Sequence, residues 1–455
     1  MGRKHNTVTT LSRVLFVLLI TAAAVSCNHS APTPVTLNYL RTGWIRQNEL
    51  PAIDALQKKF TRETGLGLRH LHGVQEETSD QLTLTRELLQ QGSSGPDVLE
   101  IDVTWLGVLQ PDLIDLRPYL AAETSSIGPG LASSYIVDGK VVAIPYQNNA
   151  GMLVYRADLL REYGYTHPPG TWDELEKMAT RIQAGERAKG KKNFWGYVWA
   201  GAAAESLTCD ALEWQVSEGG GTIIESDRTI SVNNPAATRA WQRARHWIGR
   251  ISPPGTPQYR EADARNVFLS GSAAFIREWG GELPGSPRIG DQLRLLKWGY
   301  PAPIGEIGYT TVPAGSFASV GTLGGQGLGI SRYSRHPKED AELIRFLLRE
   351  HPDESLQNST VPNSPIRAAV YGYTSPIDSH SNSSGQPKAI VASRPSGVAG
   401  HWYEQVSSAY SSAVHSVLTG EKRAPDAAAE LEQSLVKITG FPSGPPRKNS
   451  IETGR

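Results

Sequence analysis

The sequence predicts an α/β fold arranged in two lobes, on three observations. From Val35 to Asp102, segments alternate as strand, helix, strand, helix, strand, the pattern of a parallel sheet. Once the leader described below is set aside, most of the 455 residues remain, more than the ~250–300 at which a single core stops growing. Finally, two apolar runs, Val141–Ile144 and Gly151–Tyr155, flank a polar segment, Tyr146-Gln147-Asn148-Asn149. An aromatic hydroxyl and three amides between two strands point to a crossing between lobes, with polar groups facing the gap. The plainer alternative is a loop joining two strands of one sheet.

The chain opens with a polar stretch carrying Arg3, Lys4 and Arg13, then an apolar run, Val14–Val25, too short for an ordinary membrane span. Ala24-Val25-Ser26-Cys27 closes it with small residues before a cysteine. This is the order of a signal peptide, and it resembles a bacterial lipoprotein signal in which Cys27 is lipidated after cleavage. Ala24 stands where that motif usually has Leu. A plain secretory signal with an incidental cysteine is the alternative. Residues 28–34 then form a tether.

Composition excludes several classes. Lys plus Arg is 45 and Asp plus Glu is 45, so no net field favours nucleic acid. No later apolar run is long enough to cross a bilayer. Outside Cys27 there is one cysteine, Cys209, which leaves no disulfide framework and no cysteine-based metal site; Cys209 reads as a small buried hydrophobe. Trp, at 11, outnumbers Phe, at 8. Indole faces suit the C–H faces of sugars, and they also suit core packing.

In chain order, Val35–Leu40 is a strand, followed by a loop with Trp44 and a helix from about Asn48. Its Ile53, Leu56 and Phe60 recur at helical spacing. Leu68–Leu71 is a strand, residues 75–91 a helix, and Asp97–Asp102 a buried strand. Ligands of such sheets sit beyond the carboxyl ends of strands, so Asn48, Glu49 and Asp102 are candidates for one rim; helix capping is the alternative for each. Past the crossing, Thr171-Trp172-Asp173-Glu174 is a capping box opening a helix to about Lys189. Phe194–Trp199 is an aromatic strand, residues 205–218 a helix stopped by glycines, Asn234-Pro235 the start of another, and Ala262–Ser270 a short one. Ala273–Trp279 is a strand before Gly280-Gly281. Ser319–Ile330 is Gly-rich without the dinucleotide pattern, because no helix opens from it. Helices follow at His336–Glu350, His401–Leu418 and Ala424–Ile438.

Reactive chemistry is largely missing. Gly185–Lys192 has the spacing of a phosphate loop but lacks its final Ser or Thr and begins inside a helix, so it reads as a solvated helix end. There is no nucleophile elbow and no metal-binding helix. The 11 His are scattered. No cofactor, metal or catalytic residue is expected, although a carboxylate pair for glycoside hydrolysis is a matter of spatial distance rather than sequence.

Asn193–Trp199, Leu207–Trp214, Ala264–Trp279 and Ser407–Gly420 together resemble the extracellular solute-binding lipoproteins of ABC sugar importers, in the trehalose/maltose-binding branch of solute-binding protein family 1. That resemblance implies a type II periplasmic-binding-protein-like fold, two lobes with mixed sheets flanked by helices and joined by hinge crossings. The first lobe would be residues 35–145 plus about 300–355, the second 146–299 plus about 356–441, and 442–455 a flexible tail. Carried over residue by residue, substrate-binding positions fall on Asn48, Glu49, Asp102, Tyr146, Asn149, Trp279 as the stacking ring, Gly324 and Gly325 as backbone contacts, Gln326, and Arg394. Gly281 and Gln326 stand where the family commonly has aromatics, and Asn149 where it often has Asp; these departures bear on which saccharide is taken. The resemblance implies a monomer that captures a disaccharide or oligosaccharide between its lobes and delivers it to permease subunits served by a separate ATPase. It would be lipid-anchored and face the periplasm or cell exterior. A lipid-anchored glycoside hydrolase and a non-transport sugar sensor are the other readings.

Overall fold

The structure, a computed structural model, describes residues 35–41, 50–72, 78–125, 127, 134–279, 305–350 and 389–446. The chain separates into Met1–Val35 and Thr36–Arg455, and the second unit holds every element below. Cys27, Trp44, Asn48, Glu49, Gly280 and Gly281 lie outside the described residues.

The first strands and helices are β1 (Thr36–Arg41), α1 (Leu50–Thr64), β2 (Gly67–His72), α2 (Thr78–Leu89) and β3 (Val98–Asp102). Short helices α3 (Leu106–Leu109) and α4 (Ala121–Ser125) and the hairpin of β4 (Ile136–Val137) with β5 (Lys140–Val141) precede the long β6 (Ile144–Arg156). Then come α5 (Ala157–Glu162), α6 (Trp172–Ala188), β7 (Trp195–Val198), α7 (Glu205–Ser217), α8 (Pro235–Trp247), α9 (Glu261–Leu269), β8 (Ala273–Trp279), β9 (Ile307–Thr311) and β10 (Ser319–Ile330). The last elements are α10 (Pro337–Glu350), β11 (Ala389–Ala392), α11 (Ser396–Ala399), α12 (Tyr403–Thr419) and α13 (Ala424–Thr439).

Local sequence signals place the helices as expected. The Thr171 hydroxyl accepts from the Glu174 amide at 3.2 Å, and the Glu174 carboxylate accepts from the Gly170 amide at 2.7 Å. Asn234 Oδ1 accepts from the amides of Ala236 and Ala237, both at 3.0 Å, with Pro235 in the first turn of α8. The phosphate-loop spacing carries no phosphate chemistry: Lys189 and Lys191 donate to the buried Glu186 carboxylate at 2.7 and 2.5 Å.

Nine strands form one mixed sheet in the order β2-β1-β3-β10-β6-β8-β7, with β11 on β10 and β9 on β6. β1 is parallel to β2 and β3, as the alternation predicts, but β10 runs antiparallel to β3 and to β6. The crossing differs from the expectation of two strands around a loop. One strand runs from Ile144 through the polar segment to Arg156, because β10 supplies backbone partners along it: Ala150, Asn149, Asn148 and Gln147 face Leu323, Gly324, Gly325 and Gln326. The register then jumps to Pro145 opposite Gly327. Tyr146 is therefore the extra residue of a β-bulge, and Pro145, which has no amide hydrogen, is tolerated beside it. The Gly-rich stretch, read as neither helix nor nucleotide loop, is thus a central strand.

Most described tryptophans pack the core. Trp105, Trp172, Trp199, Trp214, Trp241 and Trp247 are buried, and Trp199 meets Trp214 edge-on with ring centroids 4.9 Å apart. Cys209 is buried and unpaired, and burial pushes its thiol up, which suits a small core hydrophobe.

Candidate functional site

Strand register gathers the sequence candidates. Asp102, at the carboxyl end of β3, faces Gln326 on β10, and Gln326 faces Gln147 on β6. Two residues along, Gly324 faces Asn149, and two further along β6, Gly151 faces Trp279 at the end of β8. Arg394 follows β11, which lies beside Ser319–Thr322 of β10. Asp102, Asn149, Trp279, Gly324, Gly325 and Gln326 thereby come from four strands onto neighbouring rungs of one sheet, and Arg394 follows a fifth.

Gly324 is a point of close approach. A Cβ there would lie 2.4 Å from Asn149 Oδ1 and 2.6 Å from Trp279 Cζ3, so the amide and the indole edge meet over its bare backbone. Next to it, Gly325 takes φ +115°, a conformation that favours glycine, and its carbonyl accepts from the Val103 amide at 3.1 Å. Asn149 Oδ1 is buried without a hydrogen-bond partner. Asp102 does cap the turn after β3, as the alternative had it: Oδ1 accepts from the Thr104 amide at 2.8 Å and hydroxyl at 2.7 Å. Tyr146 is buried by the bulge, and Tyr39 feels its phenol, beside the buried Tyr39–Glu100 hydrogen bond.

Arg394 is nearly fully buried. Nη1 donates to Glu205 Oε1 at 2.7 Å and Nη2 to the Leu323 carbonyl at 3.1 Å, while Nε has no partner. Glu205 also accepts from the Tyr403 hydroxyl and, at 2.5 Å, from Ser407. One side of the guanidinium is thus taken by a carboxylate of the protein itself, and Nε is left over.

Beneath Trp279 lies a buried ion cluster that sequence reasoning did not single out. Arg277 donates to Glu213 at 2.6 and 3.1 Å, and its Nε lies 3.0 Å from Asp210 Oδ1. Burial pushes the Asp210 carboxyl up, against the pull of Arg277. Glu213 Oε1 also accepts from the Thr322 amide of β10 at 2.9 Å, and Gly151 leaves room for the cluster, since a Cβ there would stand 1.8 Å from Glu213 Oε1. The Arg277 guanidinium carbon sits 4.1 Å from the Trp279 ring centroid. Trp279 Nε1 donates to Glu261 Oε1 at 2.8 Å. Two segments that carry the family resemblance, Leu207–Trp214 and Ala264–Trp279, meet in this cluster; the signal was Asp210 and Glu213 among Leu207, Ala211, Leu212 and Trp214, and Arg277 directly after the apolar run Ala273–Ile276.

The described residues hold no group of three or more His, Cys, Asp and Glu fit for a metal ion. What they hold is an apolar ring, an orphan acceptor and an orphan donor along strand edges of a mixed α/β sheet. That combination can accept from, donate to and stack on a small polar ligand.

Comparison with known proteins agrees. The profile of the family described as bacterial extracellular solute-binding protein matches residues 48–351. A "Probable ABC transporter-binding protein" of Deinococcus radiodurans is 39% identical over 397 residues, covering 84% of this chain and 89% of its own. The "Maltodextrin-binding protein MdxE" of Bacillus subtilis is 27% identical over 299 residues, 63% of each chain. The solved structure "Maltose bound T. maritima MalE3" superposes with a TM-score of 0.69 at 28% identity, over 89% of this chain and 100% of that one. The chain belongs to the bacterial extracellular solute-binding protein family.

Proposed function

We propose that the protein captures a disaccharide or oligosaccharide of the trehalose/maltose kind and delivers it intact to the permease of an ABC importer. The observation that carries this is two buried side-chain atoms without a hydrogen-bond partner: Asn149 Oδ1, beside the Trp279 indole over Gly324, and Arg394 Nε, whose guanidinium holds the neighbouring Leu323 carbonyl. Leaving a buried polar atom unpaired costs ~1–3 kcal/mol, a cost that ligand hydroxyls would relieve by donating to Asn149 and accepting from Arg394. The indole would cover an apolar sugar face. Names of relatives and neighbours point the same way: one binds maltodextrin and another was solved with maltose. Asn48, Glu49, Asp102, Tyr146, Gly325 and Gln326 complete the proposed contact set. The lobes would close on the ligand by hinge motion, and a ligand that favours the closed form drives that closure. Cys27 would carry the lipid that holds the monomer at the membrane.

Calorimetric titration of the chain from Asn28 against a disaccharide and oligosaccharide panel, with product analysis, tests the reading. Saturable binding of intact sugar, lost in Trp279→Ala and weakened in Asp102→Ala, is expected. Silence across the panel would sink the saccharide assignment.

A further inference from the structure

We propose that Glu261 is a positioning residue that fixes the Trp279 indole as a one-faced platform for the sugar ring; this rests on the saccharide reading above. Three contacts hold the indole. Its Nε1 donates to Glu261 Oε1 at 2.8 Å. The Arg277 guanidinium covers one face, 4.1 Å from the ring centroid. Its Cζ3 and Cε3 edge lies over Gly324, where a Cβ would come within 2.6 and 3.0 Å. Trp279 remains partly exposed, and the face away from Arg277 is the one left for an apolar ligand surface.

Glu261 is committed to this single task. It has no other hydrogen bond among the described residues, and Arg265, one turn along α9, is held by Glu278 at 2.8 and 3.1 Å. Its place at the first position of α9 favours its charge through the helix N-terminus. Against that, burial and then the Glu278 carboxylate push its carboxyl up, while the indole N–H, Arg277 and Arg265 pull it down. A carboxylate kept in such surroundings, with an indole N–H as its one partner, serves the ring. A charge-assisted bond stops the indole turning about its side-chain torsions, so a stacking ligand need not order it on arrival.

The test reads the ring directly and then the ligand. In protein carrying ¹⁵N-labelled tryptophan, Trp279→Phe assigns the Trp279 indole resonance. That resonance is expected to move with pH as Glu261 titrates, to lose that dependence but keep its hydrogen-bonded position in Glu261→Gln, and to reach the position of a free indole in Glu261→Ala. By calorimetry with maltose as the probe, Glu261→Ala is expected to bind about tenfold more weakly and Glu261→Gln to recover to within about threefold of the parent. An indole resonance unchanged in Glu261→Ala, or maltose binding unchanged in it, overturns the proposal. Should Glu261→Ala not fold, a pH dependence surviving in Glu261→Gln overturns it instead. If the parent protein binds no saccharide, the saccharide reading falls, and the indole resonance alone decides whether Glu261 holds the ring.

Discussion

Gly324 shows most directly how one missing side chain makes a site. The Asn149 amide and the Trp279 edge occupy the volume its Cβ would need, and neither is backbone, so Gly324→Ala displaces the two proposed binding groups rather than breaking the strand. Overpacking of this kind costs about 1–3 kcal/mol, which appears in affinity if the ring and amide must tilt to relieve it. Gly324→Ala is therefore expected to weaken sugar binding about five- to a hundredfold in calorimetry while its thermal midpoint falls by only a few degrees, on the order expected for 1 kcal/mol. Unchanged affinity would show that neither Asn149 nor Trp279 touches the ligand. The family pattern in the sequence pointed to Trp279, Asn149, Gly324 and Arg394. It could not point to Glu261 or Glu205, because a charged residue at a helix start is ordinary and its partner lies 18 or 189 positions away. The same distance hid the Arg277 cluster, whose burial is a property of the folded sheet.

Elements differ in legibility for the same reason. Helices α6 and α8 were readable because their caps are neighbours in sequence: Thr171 with Glu174, Asn234 with Ala236 and Ala237. Strand β6 was not, because Tyr146–Asn149 has the composition of a loop, and only pairing with β10, far along the chain, keeps it extended. Helix α10 carries a further consequence. Asp340 is fully buried in its first turn; burial pushes its carboxyl from 3.8 up to about 7, with Asp97 and Glu339 adding to the rise and the Ser334 hydroxyl, which donates at 2.6 Å, opposing it. A folded pKa above the unfolded one means the native state holds the proton longer. The associated stability is complete below about pH 4 and lost as pH rises to about 7. Asp340→Asn keeps the shape and cannot ionise. It is expected to be more stable than the parent at about pH 8, on the order of a few kcal/mol and so with a higher melting temperature, with the gap closing near pH 4. Equal melting curves at both pH values would show that Asp340 is solvated or paired in solution.

At the scale of the whole Thr36–Arg455 unit, the two long strands decide how the protein should unfold. The expected lobe boundary at 145/146 falls inside β6, and β10 pairs with β3 at one end, with β6 in its middle and with β11 at the other. Neither strand can leave the sheet without unpairing residues assigned to both lobes. One buried apolar cluster among the described residues likewise runs from Leu40 to Phe441, beside a smaller one built on Val154, Val198, Phe268 and Ile276. A protein built this way is expected to unfold in a single transition, with secondary-structure and tryptophan signals coincident, although chains of this size often unfold in steps. Sugar bound at the proposed site, on lobes that share these strands, would stabilise the native state as a whole: ligand at about a hundredfold excess over its dissociation constant contributes about 2.7 kcal/mol. Calorimetric scans with and without maltose should therefore show one peak, moved upward intact. Two peaks, of which sugar shifts one, would mean that the crossing strands do not couple the lobes and that β6 and β10 melt in pieces.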